Sequence, residues 1–269
     1  MIGLNRQLAP LSQRAWKRVE REAKEVLTLH LAGRRIFDFK GPLGWEHSAI
    51  DLGRLGALES DVPALRVRRR LVRPLVELRL TFGLDRQELE RIDRGASTVD
   101  LDPLREAART FAWAEDQLLF EGNAEADIPG LLTSATQKPV VLPTDPLRLP
   151  EAIAQATEQL RLAGVGGPYA AALGPPAHAA LHGASGDGGY PIMRHVERLL
   201  NRPVVFAPSL AGGAAVSLRG GDFTLVCGRD AAIGYESHDD ESVTLFLEES
   251  LSVEVNGPEA VVPLRPPNV

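Results

Sequence analysis

From Ser12 to about Leu31 apolar residues recur at helical spacing, with Trp16, Val19, Ala23, Val26 and Leu27 on one face and Arg14, Arg18, Arg21 and Glu25 on the other. This pattern predicts an amphipathic helix that docks on something, capped by Ser12 and stopped by Gly33. The segment RIFDFK (35–40) then alternates in strand fashion. Residues 46–73 have long extended stretches, breaks at Gly53, Gly56 and Pro63, and arginines at 66, 68, 69 and 70. That pattern predicts a two-stranded arm, which needs either its own domain or another surface to lie on, because an isolated ribbon is marginally stable. Asp85 with Glu88 reads as a capping box for a helix that ends at Gly95. Asp102 followed by Pro103 reads as cap and first turn of a longer helix to about Phe120, with Leu104, Ala108, Phe111, Leu118 and Leu119 on its apolar face.

From about residue 135 the chain becomes rich in Ala, Gly and Pro, and the order is helix (150–163), strand (168–173), helix (175–182), glycine loop (183–189), helix (191–200) and strand (203–207). Strands at 214–219, 222–228, 242–248 and 251–256 follow. The expected organisation is a discontinuous outer body (1–45, 74–134 and 222–269), an arm (46–73) and an inserted α/β unit (135–221). The fold class is α+β.

The 269 residues carry a formal charge of −6, which gives no general affinity for nucleic acid or anionic membranes. Lysine is nearly absent, and arginine, whose fork suits paired interfaces, carries the positive charge. The single cysteine excludes an internal disulfide. The N-terminal stretch has no apolar run of the signal-peptide kind, and no segment has the length and apolarity of a membrane span, so a cytosolic setting is expected.

The stretch RGGDFTLVCGRDAAIGYE (219–236) collects glycines, an acid, an arginine and the one cysteine, but it contains no phosphate-loop pattern. Phe223, Leu225 and Cys227 fall on one strand face, Cys227 reads as a small buried hydrophobe, and Gly220 and Gly221 read as a hairpin turn. His178 and His182 have ligand spacing on a helix but do not complete a zinc site, so they read as surface or interface histidines. Ser185 lies among glycines with no nucleophile-elbow motif, which makes it a loop tip rather than a catalytic serine. Glu115, with its neighbour Asp116 on the long helix, reads as partly buried and paired with an arginine such as Arg79, a structural ion pair. The run VRRRLVR reads as a subunit interface rather than a nucleic-acid surface.

LAPLS (8–12), AGRRIFDFKGPLGW (32–45), PLVELRLTFGLD (74–85), AEDQLLFEG (114–122), GPYAAALG (167–174), GYPIMRHVERL (189–199) and RGGDFTLVCGRDAAIGY (219–235) occur in an order and spacing that resembles the encapsulins, the shell proteins once called the linocin bacteriocin family. The resemblance implies a tailed-phage major capsid fold of the Hong Kong 97 type, with peripheral domain, axial domain and extended loop. It implies a non-enzymatic, cytoplasmic, self-assembling icosahedral nanocompartment that binds neither nucleic acid nor membrane. Cargo enzymes, dye-decolorising peroxidases or ferritin-like iron-oxidising proteins, are captured through a C-terminal targeting peptide and serve oxidative-stress defence or iron storage.

Carried onto this chain, the resemblance implies cargo-peptide contacts at Arg34, Asp38, Asp230, Ile233 and Tyr235, and a pore loop of Ser185, Gly186, Asp187, Gly188, Gly189 and Tyr190. It implies no resident metal and no cofactor in the shell subunit. Haem or iron belongs to the cargo, and where some relatives stack a flavin on tryptophan this chain has Gln87. The alternative reading is the bacteriocin-like effector or hydrolase of the older family name.

Overall fold

The computed structural model describes residues 3–186 and 189–267. Its first helix, α1 (Gln13–His30), starts as expected, with Ser12 Oγ accepting from the Ala15 N–H at 3.0 Å. Ala15, Trp16, Val19, Ala23 and Leu27 are buried along one stripe. Burying each larger side chain contributes about 1.5–3 kcal/mol. Gly33 is not the expected stop: the helix ends at Leu31, and Gly33 opens a 3-10 turn, Gly33–Arg35. Glycine is needed there for space, because a Cβ would lie 2.3 Å from Leu119 Cδ1.

After β1 (Asp38–Lys40), the strands β2 (Ala49–Leu58) and β3 (Val67–Pro74) form the expected arm, a two-stranded sheet that pairs with no other strand among the described residues. A bulge lies between Asp51 and Arg54, where Gly53 has φ +66°. Leu55, Leu58, Val62, Leu65, Val67 and Val72 are all exposed on this ribbon. Only its base is tied down, by buried Ile50 and by Arg73 Nη1 donating to the Val253 carbonyl at 2.9 Å.

Next come β4 (Val76–Asp85), α2 (Arg86–Asp93) and α3 (Asp102–Phe120). Asp85 caps α2 through the Gln87 and Glu88 N–H groups, but the capping box does not close, since Glu88 accepts from the Asp100 N–H instead. The short strands β5 (Gly122–Asn123), β6 (Ile128–Pro129) and β7 (Val140–Val141) lead to α4 (Leu149–Leu162), β8 (Tyr169–Leu173), α5 (Pro175–Gly183), α6 (Ile192–Leu200), β9 (Val205–Phe206) and β10 (Gly213–Ser217). The chain finishes with β11 (Phe223–His238), β12 (Ser242–Val255) and β13 (Val261–Arg265).

Two main sheets result. One runs β1-β11-β12-β4, parallel between β1 and β11 and antiparallel elsewhere. The other runs β7-β13-β10-β8-β9. One apolar core gathers α1, α2, α3, β4 and the later half of β11; the other lies under the second sheet and extends to Phe223, Leu225, Leu251 and Val253.

Three further expectations change. The four late strands are really β10 and two long ones, β11 and β12. Gly228 and Gly234 sit inside β11, where the Ser250 hydroxyl and the Phe246 ring leave only 2.6 Å and 2.1 Å to a Cβ. Gly220 and Gly221 do turn the chain with positive φ, but they join strands of different sheets, so this is not a hairpin. Finally, residues 261–265, expected with the outer body, form β13 in the sheet of the insert, antiparallel to β10. Their alternating apolar side chains fill that sheet's core: Val261, Val262 and Leu264 are buried.

Candidate functional site: a groove between the first helix and the long strand

α1 crosses the face of the first sheet and leaves a groove of about 610 Å³ against β11. Its apolar wall is Ala23, Leu27, Leu31, Ala231, Ala232, Ile233 and Leu247, and its charged rim is Arg6, Glu20, Lys24, Arg34, Arg35 and Asp230. On the outer edge of β11, β1 pairs with Thr224–Val226, the following loop reaches the Cys227 and Gly228 carbonyls, and the Leu4 carbonyl accepts from the Tyr235 N–H. Between Gly228 and Tyr235 no β-strand lies on this edge among the described residues. Bulges at this point of the β11–β12 ladder tilt residues 229–232 toward α1.

The floor of the groove is charged. Arg34 donates from Nε to Glu115 Oε1 at 2.8 Å, from Nη2 to Glu115 Oε2 at 3.1 Å and Glu249 Oε1 at 2.7 Å, and from Nη1 to Asp230 Oδ1 at 2.7 Å. Glu115 and Glu249 are fully buried, whereas Asp230 is half-exposed. Burial pulls the Arg34 pKa down, but the Glu115 hydrogen bond and the charges of Glu249, Glu115 and Asp230 outweigh it, and the net shift is upward. Next to this fork, Asp116 accepts from the Ala32 and Gly33 N–H groups at 3.0 and 2.8 Å, fixing the turn that presents Arg34. Burial pushes the Asp116 carboxyl up to about 7, although those two donors pull it down.

The structure therefore sorts the expected residues. Arg34, Asp230 and Ile233 meet at the groove. Asp38 does not line it: its Oδ2 accepts from the Gly221 N–H at 2.6 Å, beside a separate cleft of about 170 Å³. Tyr235 is buried next to the groove, with its hydroxyl 2.5 Å from His238 Nδ1. Glu115 pairs with Arg34, not with Arg79, which instead binds Glu248 and Glu236 and stacks on Phe246. The helix face that predicted docking held Ala23 and Leu27 in plain view, whereas nothing local marked Leu247.

Cys227, Asp230 and Glu249 bring their donor atoms within 4.8 Å of one another, and Arg34 supplies a positive charge to this group by donating to Asp230 and Glu249. Burial and then the Glu249 charge push the Cys227 thiol pKa up, so the thiol is neutral and unreactive. His178 and His182 face each other with ring centroids 4.8 Å apart, and burial followed by the charge of His182 lowers the His178 pKa. Gln87, exposed at the start of α2, offers no aromatic ring.

Around the glycine loop, Ser185 bridges to Pro191, the Gly186 N–H donates to the Tyr190 carbonyl at 2.9 Å, and Tyr190 lies under Arg198. Gly189 is exposed with φ +79°. Asp187 and Gly188 lie outside the described residues.

A long antiparallel pair crossed by a helix, a free-standing arm and an inserted second sheet together define a capsid subunit. Two solved structures share this fold: the virus-like particle from Pyrococcus furiosus (TM-score 0.62, 15% identity, 91% of this chain and 97% of that one) and Mycobacterium phage Bobi (0.56, 14%, 89% and 91%). The fold is that of the Hong Kong 97 type. The chain belongs to the linocin family, described as encapsulating protein for peroxidase, which it matches over residues 1–252. It is 46% identical to the type 1 encapsulin shell protein of Rhodospirillum rubrum over 98% of this chain and 97% of that one. Among the described residues no helix is long and apolar enough to cross a membrane.

Proposed function

We propose that this chain is a structural, non-catalytic subunit that closes with copies of itself into an icosahedral shell in the cytoplasm, and that the groove between α1 and β11 receives a short peptide from the C-terminus of an enclosed enzyme. The groove carries the reading: an apolar trough with charged ends, beside a strand edge that no strand covers, suits an extended segment with mixed apolar and polar residues. A peroxidase is the favoured cargo, because the family is described by that task, and a ferritin-like iron-oxidising protein is the second candidate. Such a shell serves oxidative-stress defence or iron storage, with haem or iron residing in the cargo. Segment 183–190 is assigned to a pore, in keeping with its glycines at 183, 186, 188 and 189 and its one charge, Asp187. No observation favours a hydrolase, since Ser185 is bridged to Pro191 and the two candidate histidines face each other.

The decisive experiment substitutes groove residues that hold no ion pair. Leu27→Asp and Ile233→Asp, co-expressed with a peroxidase bearing its native C-terminus, are expected to give closed particles by electron microscopy that lack the peroxidase. Unchanged loading in both variants would remove the groove from cargo capture, and absence of particles in the wild type would remove the shell.

A further inference from the structure

Four carboxyl groups, Glu115, Asp116, Asp230 and Glu249, surround the single guanidinium of Arg34. Glu115 and Glu249 are fully buried, and Glu115 Oε2 and Glu249 Oε1 accept from the same Arg34 Nη2, at 3.1 and 2.7 Å. Two ionised carboxylates have only acceptors; held on one donor and away from water they repel, and a proton on one of them relieves this. A second observation points the same way: Glu249 Oε2 is buried without a donor, a costly state for an ionised oxygen.

We propose that Glu115 and Glu249 share one proton, carried on Glu249, and that it is a pH-sensitive latch on the floor of the groove. With the proton in place, Oε2 becomes a donor, Oε1 still accepts from Arg34, and the fork holds α3, β11 and β12 together. Without it, two buried carboxylates face each other beside Asp230, and one guanidinium does not offset them.

The charged surroundings are complete on every side. The 33–35 turn brings Arg34, α3 brings Glu115 and Asp116, β11 brings Cys227 and Asp230, and β12 brings Glu249. The neighbouring Glu248 is held apart by Arg79 and Arg229, while Glu20, Lys24 and Arg35 stand on the groove rim. Burial, then the charge of Glu115, push the Glu249 carboxyl well above its usual range. The folded chain thus keeps this proton at pH values where the unfolded chain has lost it, so rising pH favours opening, by up to about tenfold per pH unit.

The only cysteine is a built-in reporter, fully buried with its Sγ 3.7 Å from Glu249 Oε1. Assembled shells are treated with a chromogenic aromatic disulfide across a pH series, and each labelling rate is divided by that of the same chain unfolded in denaturant at the same pH, which removes the titration of the exposed thiol itself. The corrected rate of the wild type is expected to rise about tenfold or more from neutral to alkaline pH. Glu249→Gln, whose amide reproduces the protonated acid, is expected to stay within about twofold of its neutral value over the same range. An equal rise in both proteins overturns the latch, as does fast labelling of Glu249→Gln at neutral pH. Glu115→Gln takes its place if that variant yields no shells. Independently of any variant, infrared spectra of wild-type shells in heavy water must show an un-ionised buried carboxyl band at neutral pH, and its absence overturns the proposal.

Discussion

Replacing Arg34 by alanine tests whether this residue is a free docking cation or the keystone of the subunit. The structure gives it four hydrogen bonds to three carboxylates, two of them fully buried. Removing one partner of such a buried set costs about 3–5 kcal/mol, because the remaining charges keep their desolvation penalty. Against a typical total of about 5–15 kcal/mol this is a large loss. For a chain of this size about 1 kcal/mol moves the melting midpoint by roughly 2–4 °C, so the drop is expected to be about 6–20 °C near pH 8. Near pH 5 the orphaned carboxyls protonate more readily, and the drop is expected to shrink to the loss of neutral hydrogen bonds, about 1–2 kcal/mol. Arg34→Lys keeps the charge but not the fork and should fall in between. Tryptophan fluorescence at a fixed scan rate on purified shells provides the assay. A drop smaller than about 3 °C, or one of equal size at both pH values, would refute the keystone account.

Two further outcomes are expected. Deleting 48–70 removes a ribbon with five exposed large apolar side chains, whose strands pair only with each other among the described residues, and should leave small oligomers in size-exclusion chromatography; intact shells would make the arm dispensable. In shells loaded with a ferritin-like cargo, iron uptake at low salt should fall from wild type to Asp187→Asn to Asp187→Lys and converge as salt rises, and equal rates in all three would remove this loop from gating.

What the chain revealed in advance depends on distance along it. The caps at Ser12 and Asp85, the stripe of α1 and the arm all rest on neighbours a few residues apart, and periodicity reports these directly. The partner of Arg34 is Glu115, 81 positions away, and local pattern names no such partner, which is why Arg79 was the expected mate. Glycines misled for a related reason. Gly33 reads as a helix stop, yet it is a place where the distant Leu119 side chain presses on the backbone, as Phe246 does at Gly234. Of the residues the family resemblance names, Arg34, Asp230 and Ile233 share one groove, while the Asp38 carboxylate accepts from the Gly221 N–H 183 positions away, a contact no local pattern announces.

The strand Val261–Arg265 lies between β7 and β10, in the interior of its sheet rather than at an edge. A nascent chain released from the ribosome only as far as Ala260 therefore exposes two unzipped strand edges and an uncovered apolar core, however well its earlier parts have folded. Synthesis becomes a timer: the inserted unit closes only once residues 261–265 have emerged, well after its other strands. A chain broken off before this strand cannot complete that unit.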